Sequence, residues 1–202
     1  MIETNGKYIK FKTDISHIPY SISELILSKF KDMNTRERGF LKAGSLIGEK
    51  FKMHVPAALS DFEQDEMKRF IASAESINIL NPTKENTIAF YHSIVRETIY
   101  DIMLLKEIKS LSLKIGDILS KSSEPEDILQ AGYFYQLSGS SRASNMYLKA
   151  AEEFSDSGQF HYALHSYKNF LKVNPDSGTL KQSFNVFIEI NKHKIDGESV
   201  YL

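Results

Sequence analysis

The sequence predicts a mainly α-helical chain with one small β-hairpin near its middle and a helical array in its second half. Three observations carry this. Through most of the 202 residues, apolar side chains recur at three- and four-residue spacing, the period of an amphipathic helix. Around the break Asn81–Asn86 the period changes to two short extended runs, Ile77–Leu80 and Thr87–Tyr91, which read as a hairpin. Beyond Pro125, helices of roughly a dozen residues are broken at Gly139, Gly158 and Asn174-Pro175, the punctuation of a repeat array.

Taken in order, an Asn5-Gly6 turn signal precedes Lys7–Lys12, which reads as a short strand or extended lead-in. Pro19 closes that segment, and Ser21 is a suitable N-cap for a helix carrying Ile22, Leu25, Ile26 and Phe30. Asn34 or Thr35 caps a second helix with Phe40, Leu41, Leu46 and Ile47, ending near Gly48. A short third helix covers Val55 to Leu59. A fourth starts around Glu63 and runs through Met67, Phe70, Ile71 and Ala74. Several short helices followed by a hairpin is the order of a winged-helix domain. After His92 the pattern is helical: Ile94, Val95, Thr98, Ile99, Ile102 and Met103 form one stripe, and Ile108, Leu111, Ile115 and Leu119 another. Ser120–Pro125 is the clearest linker, with Pro125 suited to a first helical turn. The expected division is therefore a winged-helix-like domain over 1–92 (with a lead-in over 1–13), connecting helices over 93–123, and a repeat array over 124–202.

Composition narrows the function classes. Hydrophobic residues make up 42%, an ordinary globular value, and 25 basic residues face 26 acidic ones. Such a balance argues against sequence-independent nucleic-acid binding, which needs a basic excess. The absence of cysteine excludes disulfides, a thiolate nucleophile and sulfur-ligated metal. The opening residues lack a signal-peptide apolar run, and the apolar stretches fall short of a membrane span. The expected setting is cytoplasmic, without a membrane.

The stretch Tyr147 to Pro175 follows a tetratricopeptide register. Tyr147, Ala150, Ala151 and Phe154 occupy the large, small, small and aromatic positions of a first helix. Gly158 takes the turn, and Ala163, Tyr167 and Pro175 follow. Small residues let two helices approach, aromatics fill between pairs, and proline ends the second helix. Phe170 departs from this pattern, which prefers alanine there, and implies looser or rearranged packing. A degenerate unit with Tyr135, Gly139 and Ala143 precedes, and a partial one over Thr179–Lys194 follows.

Three segments together, Ile18–Ile26, Arg38–Phe51 and Phe90–Tyr100, resemble the region that follows the P-loop module in signal-transducing ATPases of the STAND class. That class includes maltose-regulator-type activators, ATPase modules attached to some adenylate cyclases, and immune-receptor relatives. The resemblance implies a winged helix leading into tetratricopeptide-like repeats, from about Asp14 to about Pro175. The ATPase module is missing from this sequence. Gly44 to Phe51 imitates a phosphate loop, but it is one residue short between its glycines, places Glu49 where lysine belongs and ends in Phe51 without a hydroxyl. It reads as a helix terminator.

Among candidate residues, His92 aligns by that resemblance with a histidine that reaches the β-phosphate of ADP in a Met-His-Asp-like motif. Here Ser93 replaces the aspartate, and the plainer role is a helix cap or a bridge to the hairpin. Arg96 and Glu97 follow, as an interdomain contact or as solvated charges. His161 and His165 stand four apart, a spacing that can hold a metal, though no third ligand is evident and no metal or cofactor is expected. Tyr133, Tyr135, Tyr162 and His165 are candidates to line a partner-binding groove of the array. A DNA-binding reading would use Lys29, Lys31, Arg36, Arg38 and Lys42. The helix meant for the groove instead carries Asp61, Glu63, Asp65, Glu66 and Glu75 against Lys68 and Arg69, and phosphate would repel it.

No catalytic constellation stands at a recognisable spacing. The expected function is a non-catalytic regulatory or scaffold module that binds a protein or peptide through its repeats. It would couple to an ATPase domain in cis or in trans, as a fragment of a larger ATPase or as a stand-alone relic. The alternative is a winged-helix transcription regulator dimerising through its repeats.

Overall fold

The computed structural model describes the backbone of residues 2–5 and 8–11 and all of residues 21–83 and 86–175, together with Ile188 in helical conformation. Pro19, the resemblance segment before Ser21 and nearly all of the partial repeat over 179–194 lie outside the described residues.

Two short strands, β1 (Ile2–Asn5) and β2 (Tyr8–Phe11), pair antiparallel with Ile2 opposite Phe11 and Asn5 opposite Tyr8. Helix α1 (Ile22–Asp32) opens on Ser21, whose hydroxyl accepts the Glu24 amide at 3.2 Å. Helix α2 (Thr35–Ile47) opens on Asn34 rather than Thr35, through a reciprocal capping box. Asn34 Oδ1 accepts the Glu37 amide at 3.0 Å, and the Glu37 carboxylate accepts the Asn34 amide at 2.8 Å. Gly48, with a φ of 151°, ends α2 where the sequence places a terminator.

The chain then alternates β3 (Lys50–Lys52), α3 (His54–Ser60), α4 (Gln64–Ser76), β4 (Leu80–Pro82) and β5 (Thr87–Phe90). The sheet has three antiparallel strands in the order β3-β5-β4, so the expected hairpin gains a strand from before α3. Phe51, the middle residue of β3, is buried between exposed Lys50 and Lys52 and faces Ile88 across the ladder. The expected strand over Ile77–Leu80 is shorter and later. Asn78 adopts a left-handed φ of 57°, and the Asn78 and Ile79 amides donate back to Glu75 and Ala74. This is a Schellman closure of α4. The strand follows it and includes Pro82, tolerated because β4 is an edge strand.

Helix α5 (Ser93–Asp101) packs on α1 and α2 and sends Val95 and Ile99 into the first core. That core gathers Ile26, Phe30, Phe40, Leu41, Phe70 and the sheet residues Ile88 and Phe90. Phe40 makes edge contacts with Phe51 and Phe70 at 6.0 and 5.4 Å, the geometry aromatic quadrupoles favour. Packing therefore places α5 with the sheet, while α6 joins the array.

Among the described residues the array comprises α6 (Leu105–Leu119), α7 (Pro125–Ser138), α8 (Arg142–Asp156) and α9 (Phe160–Val173), each packed on the next. Pro125 takes the first turn of α7. Gly139 and Gly158, at φ of 82° and 75°, close α7 and α8 with paired back-bonds to Gln136 and Tyr135 and to Ser155 and Phe154. Close approach also rests on glycine within the helices. A Cβ on Gly116 would lie 2.8 Å from the Tyr135 ring, and one on Gly132 would lie 2.7 Å from the Tyr147 ring. The ring of each helix thus lies across a glycine of the helix before it. Phe170 is buried in the second core together with Tyr147. Leu46 and Val55 from α2 and α3 join Met103, Ile108 and Ile115 in that same core.

Candidate functional site

The outer face of α4 carries an apolar groove. Its helical spacing puts Met67 and Ile71 on one stripe, α3 and the approach to it add Met53 and Ala57, and Phe62 closes one side. The cavity has a volume of about 570 Å³, with Lys68 and Glu75 on its rim. Its floor is the buried Met67 of the first core, with the partly buried Met53, Phe62 and Ile71 around it. A second cavity, of about 630 Å³, lies between the start of α2 and α4. It is of mixed charge: Arg36 pairs with Glu66 at 2.8 Å across it.

The residues expected from sequence fall in different places. His92 is the N-cap residue of α5 and is exposed. Its side chain makes no capping bond; its ring stands edge-on to Tyr91, with centroids 4.9 Å apart. The cap role read from the sequence belongs to its backbone carbonyl, which accepts the Val95 amide at 3.0 Å. Arg96 donates from Nε to the Ser45 carbonyl at 3.1 Å, tying α5 to the end of α2, while Glu97 is exposed.

Of the groove candidates on the array, Tyr133 and Tyr162 are each 53% exposed. They stand on α7 and α9, helices that each pack against α8. Tyr162 stacks on Phe154 at 5.1 Å, and Tyr133 meets Phe134 edge-on at 5.3 Å. His165 is also exposed, 3.0 Å from Asn169 Nδ2. Partial burial and the ammonium groups of Lys172 and Lys168 hold its imidazole below the usual histidine range.

Tyr135, expected to line the groove, is instead buried. It is only 2% exposed, because its ring fills the space above Gly116. Its hydroxyl donates to Asp117 Oδ1 at 2.9 Å, and the Arg142 guanidinium lies 4.3 Å above its ring and donates to the same carboxylate at 2.6 Å. Tyr135 thereby staples α6, α7 and α8 and is not offered to a partner. Burial raises its phenol above the ordinary value.

Sequence reasoning missed the pairing of Gly116 with Tyr135 and of Gly132 with Tyr147. The available signal was a glycine inside each apolar helical stripe, at a cost of about 1 kcal/mol in propensity that close packing can offset. Among the described residues, no group of three or more His, Asp or Glu side chains is placed to hold a metal ion, and no helix is long and apolar enough to cross a membrane.

No protein-family model matches this chain, and neither a curated protein nor a solved structure matches it.

Proposed function

We propose that the chain is a non-catalytic protein-interaction module, a winged-helix-type unit bearing a tetratricopeptide-like array, that couples an ATPase switch in cis or in trans to a protein partner. Supporting the first part is the order helix, strand, helix, helix, strand, strand over α2 to β5, with the central place in the sheet taken by the last strand. Supporting the second are antiparallel helices turned by left-handed glycines and held by small residues and aromatics.

The observation that carries the reading is the groove along α4. In a DNA-binding winged helix this helix would enter the major groove and present basic side chains to phosphate. Here it carries an apolar channel lined by Met53, Phe62, Ile71 and the buried Met67, and its exposed charges are balanced, Asp65 and Glu75 against Lys68 and Arg69. Such a surface suits the apolar face of an amphipathic helix. In this reading His92, exposed beside the sheet, would face the nucleotide of a docked ATPase domain. The DNA-binding regulator is the second reading, favoured by the element order alone.

Methionine-methyl NMR separates the two. A labelled amphipathic helical peptide should shift the Met53 and Met67 resonances, whereas a short DNA duplex at low salt should leave them and the α4 amides in place. Salt-sensitive shifts along α4 on adding duplex would replace the first reading with the second.

A further inference from the structure

We propose that Lys52, Asp127 and Ser122 form an interdomain latch that holds the helical array at one angle to the sheet-bearing half. Its opening frees the array to rock about the apolar seam between α3 and α6.

The partners come from distant parts of the chain. Lys52 ends β3, and Asp127 stands in the first turn of α7, 75 residues later. Lys52 Nζ donates to Asp127 Oδ1 at 2.8 Å, and the Ser122 hydroxyl donates to Oδ2 at 2.9 Å. Both carboxylate oxygens are thus engaged, one by each half of the molecule. Beside this tie runs a seam of a different kind. Val55 and the partly buried Leu59 of α3 pack with Ile108 and Ile115 of α6, and Lys42 pairs with Glu107 at 2.6 Å where α6 begins.

Apolar contact is non-directional and tolerates small rotations at little loss of buried area. A charge-assisted hydrogen bond has a narrow range of length and angle. The seam therefore holds the halves together, and two directional ties, Lys42–Glu107 and the Lys52–Asp127 latch, together restrict their angle. The latch is also asymmetric. The Asp127 side chain is 8% exposed, that of Lys52 51%. Asp127 is held in place by Ser122 on its own half, so the lysine arm is the part that moves. Withdrawing it leaves the Asp127 carboxylate with one hydroxyl donor, which favours the closed state. The exposed side of the ammonium is where a carboxylate on a docked partner can compete. The latch does not depend on what the array binds.

The chain has no cysteine, so two can be introduced for spin labels without background. Lys31 on α1 and Asn145 on α8 are exposed positions in the two halves. The parent should give a single narrow distance distribution between them. Lys52→Met, which keeps the aliphatic stem, should lose that single maximum, and the charge exchange Lys52→Glu with Asp127→Lys should recover it. Asp127→Leu, which removes both acceptor oxygens and keeps a branched side chain, serves as a second variant with the same expected loss. Helical circular dichroism confirms folding of each. A distribution unchanged in both single variants would overturn the latch and leave the apolar seam and the Lys42–Glu107 pair to set the angle. Failure of the exchange to recover the maximum would also count against it.

Discussion

Replacing Gly132 with alanine tests whether helix spacing in the array is set by contact between backbone and ring. Alanine's Cβ would stand 2.7, 2.8 and 3.1 Å from Cδ1, Cε1 and Cγ of Tyr147, against ordinary carbon contacts of about 3.5–4.0 Å. The ring has little room to retreat. Tyr147 is 1% exposed, and its hydroxyl donates to Gln136 Oε1 at 2.7 Å, on the same helix as Gly132. Overpacking of this kind costs about 1–3 kcal/mol, while alanine returns about 1 kcal/mol of helix propensity. The net expectation is a loss of about 0–2 kcal/mol. Gly39 supplies the internal control: its Cβ would meet only Ser60 Oγ, at 3.6 Å, so Gly39→Ala should keep a gain of about 0.5–1 kcal/mol. Urea denaturation followed by helical circular dichroism should separate the two variants by about 0.5–3 kcal/mol with similar slopes. In a Tyr147→Leu background Gly132→Ala should turn neutral or stabilising, because the obstructing ring is gone. If Gly132→Ala were as stable as Gly39→Ala in the parent, the close-approach reasoning would fail.

Asn34→Ala removes the side-chain half of the α2 capping box and should lower stability by about 1 kcal/mol, read as a lower thermal midpoint; an unchanged midpoint would mean that packing alone holds this end. Burial, reinforced by the neighbouring Tyr133, pushes the Tyr147 phenol up to about 12. Because the folded value is raised, the stability this group contributes is complete below pH 10 and lost as pH rises from 10 toward 12. In a phenolate absorbance titration Tyr147→Phe should remove the latest step, and ionisation of every tyrosine near pH 10 would refute the assignment.

Much of the local structure was legible because it depends on residues within a few positions. Ser21 and Asn34 mark helix starts through their own side chains, and Gly139 and Gly158 mark ends because the left-handed turn is cheapest for glycine. Where legibility failed, the signal was short or ambiguous. Lys50-Phe51-Lys52 is too brief a run to show a period of two, and it becomes a strand only because β5 offers it a partner. Ile77–Leu80 has the apolar character of a strand, yet Asn78 serves first as a helix stop, which a hydropathy pattern does not register.

The candidate site divides the same way. Tyr133, Tyr135, Tyr162 and His165 share an aromatic, helical context in sequence. Only the packing of α6 and α8 against α7 buries Tyr135 and leaves Tyr133 at the surface. By itself, then, the sequence determined most of the helices, the Ser21 and Asn34 caps and the glycine turns, since each follows from interactions one turn or less in span. Tertiary structure decided the strand order, the identity of the buried aromatics, the methionine-lined face of α4 and the meeting of Lys52 with Asp127. Each of those joins residues far apart along the chain, and burial and pairing energies exist only once the intervening elements have brought them together.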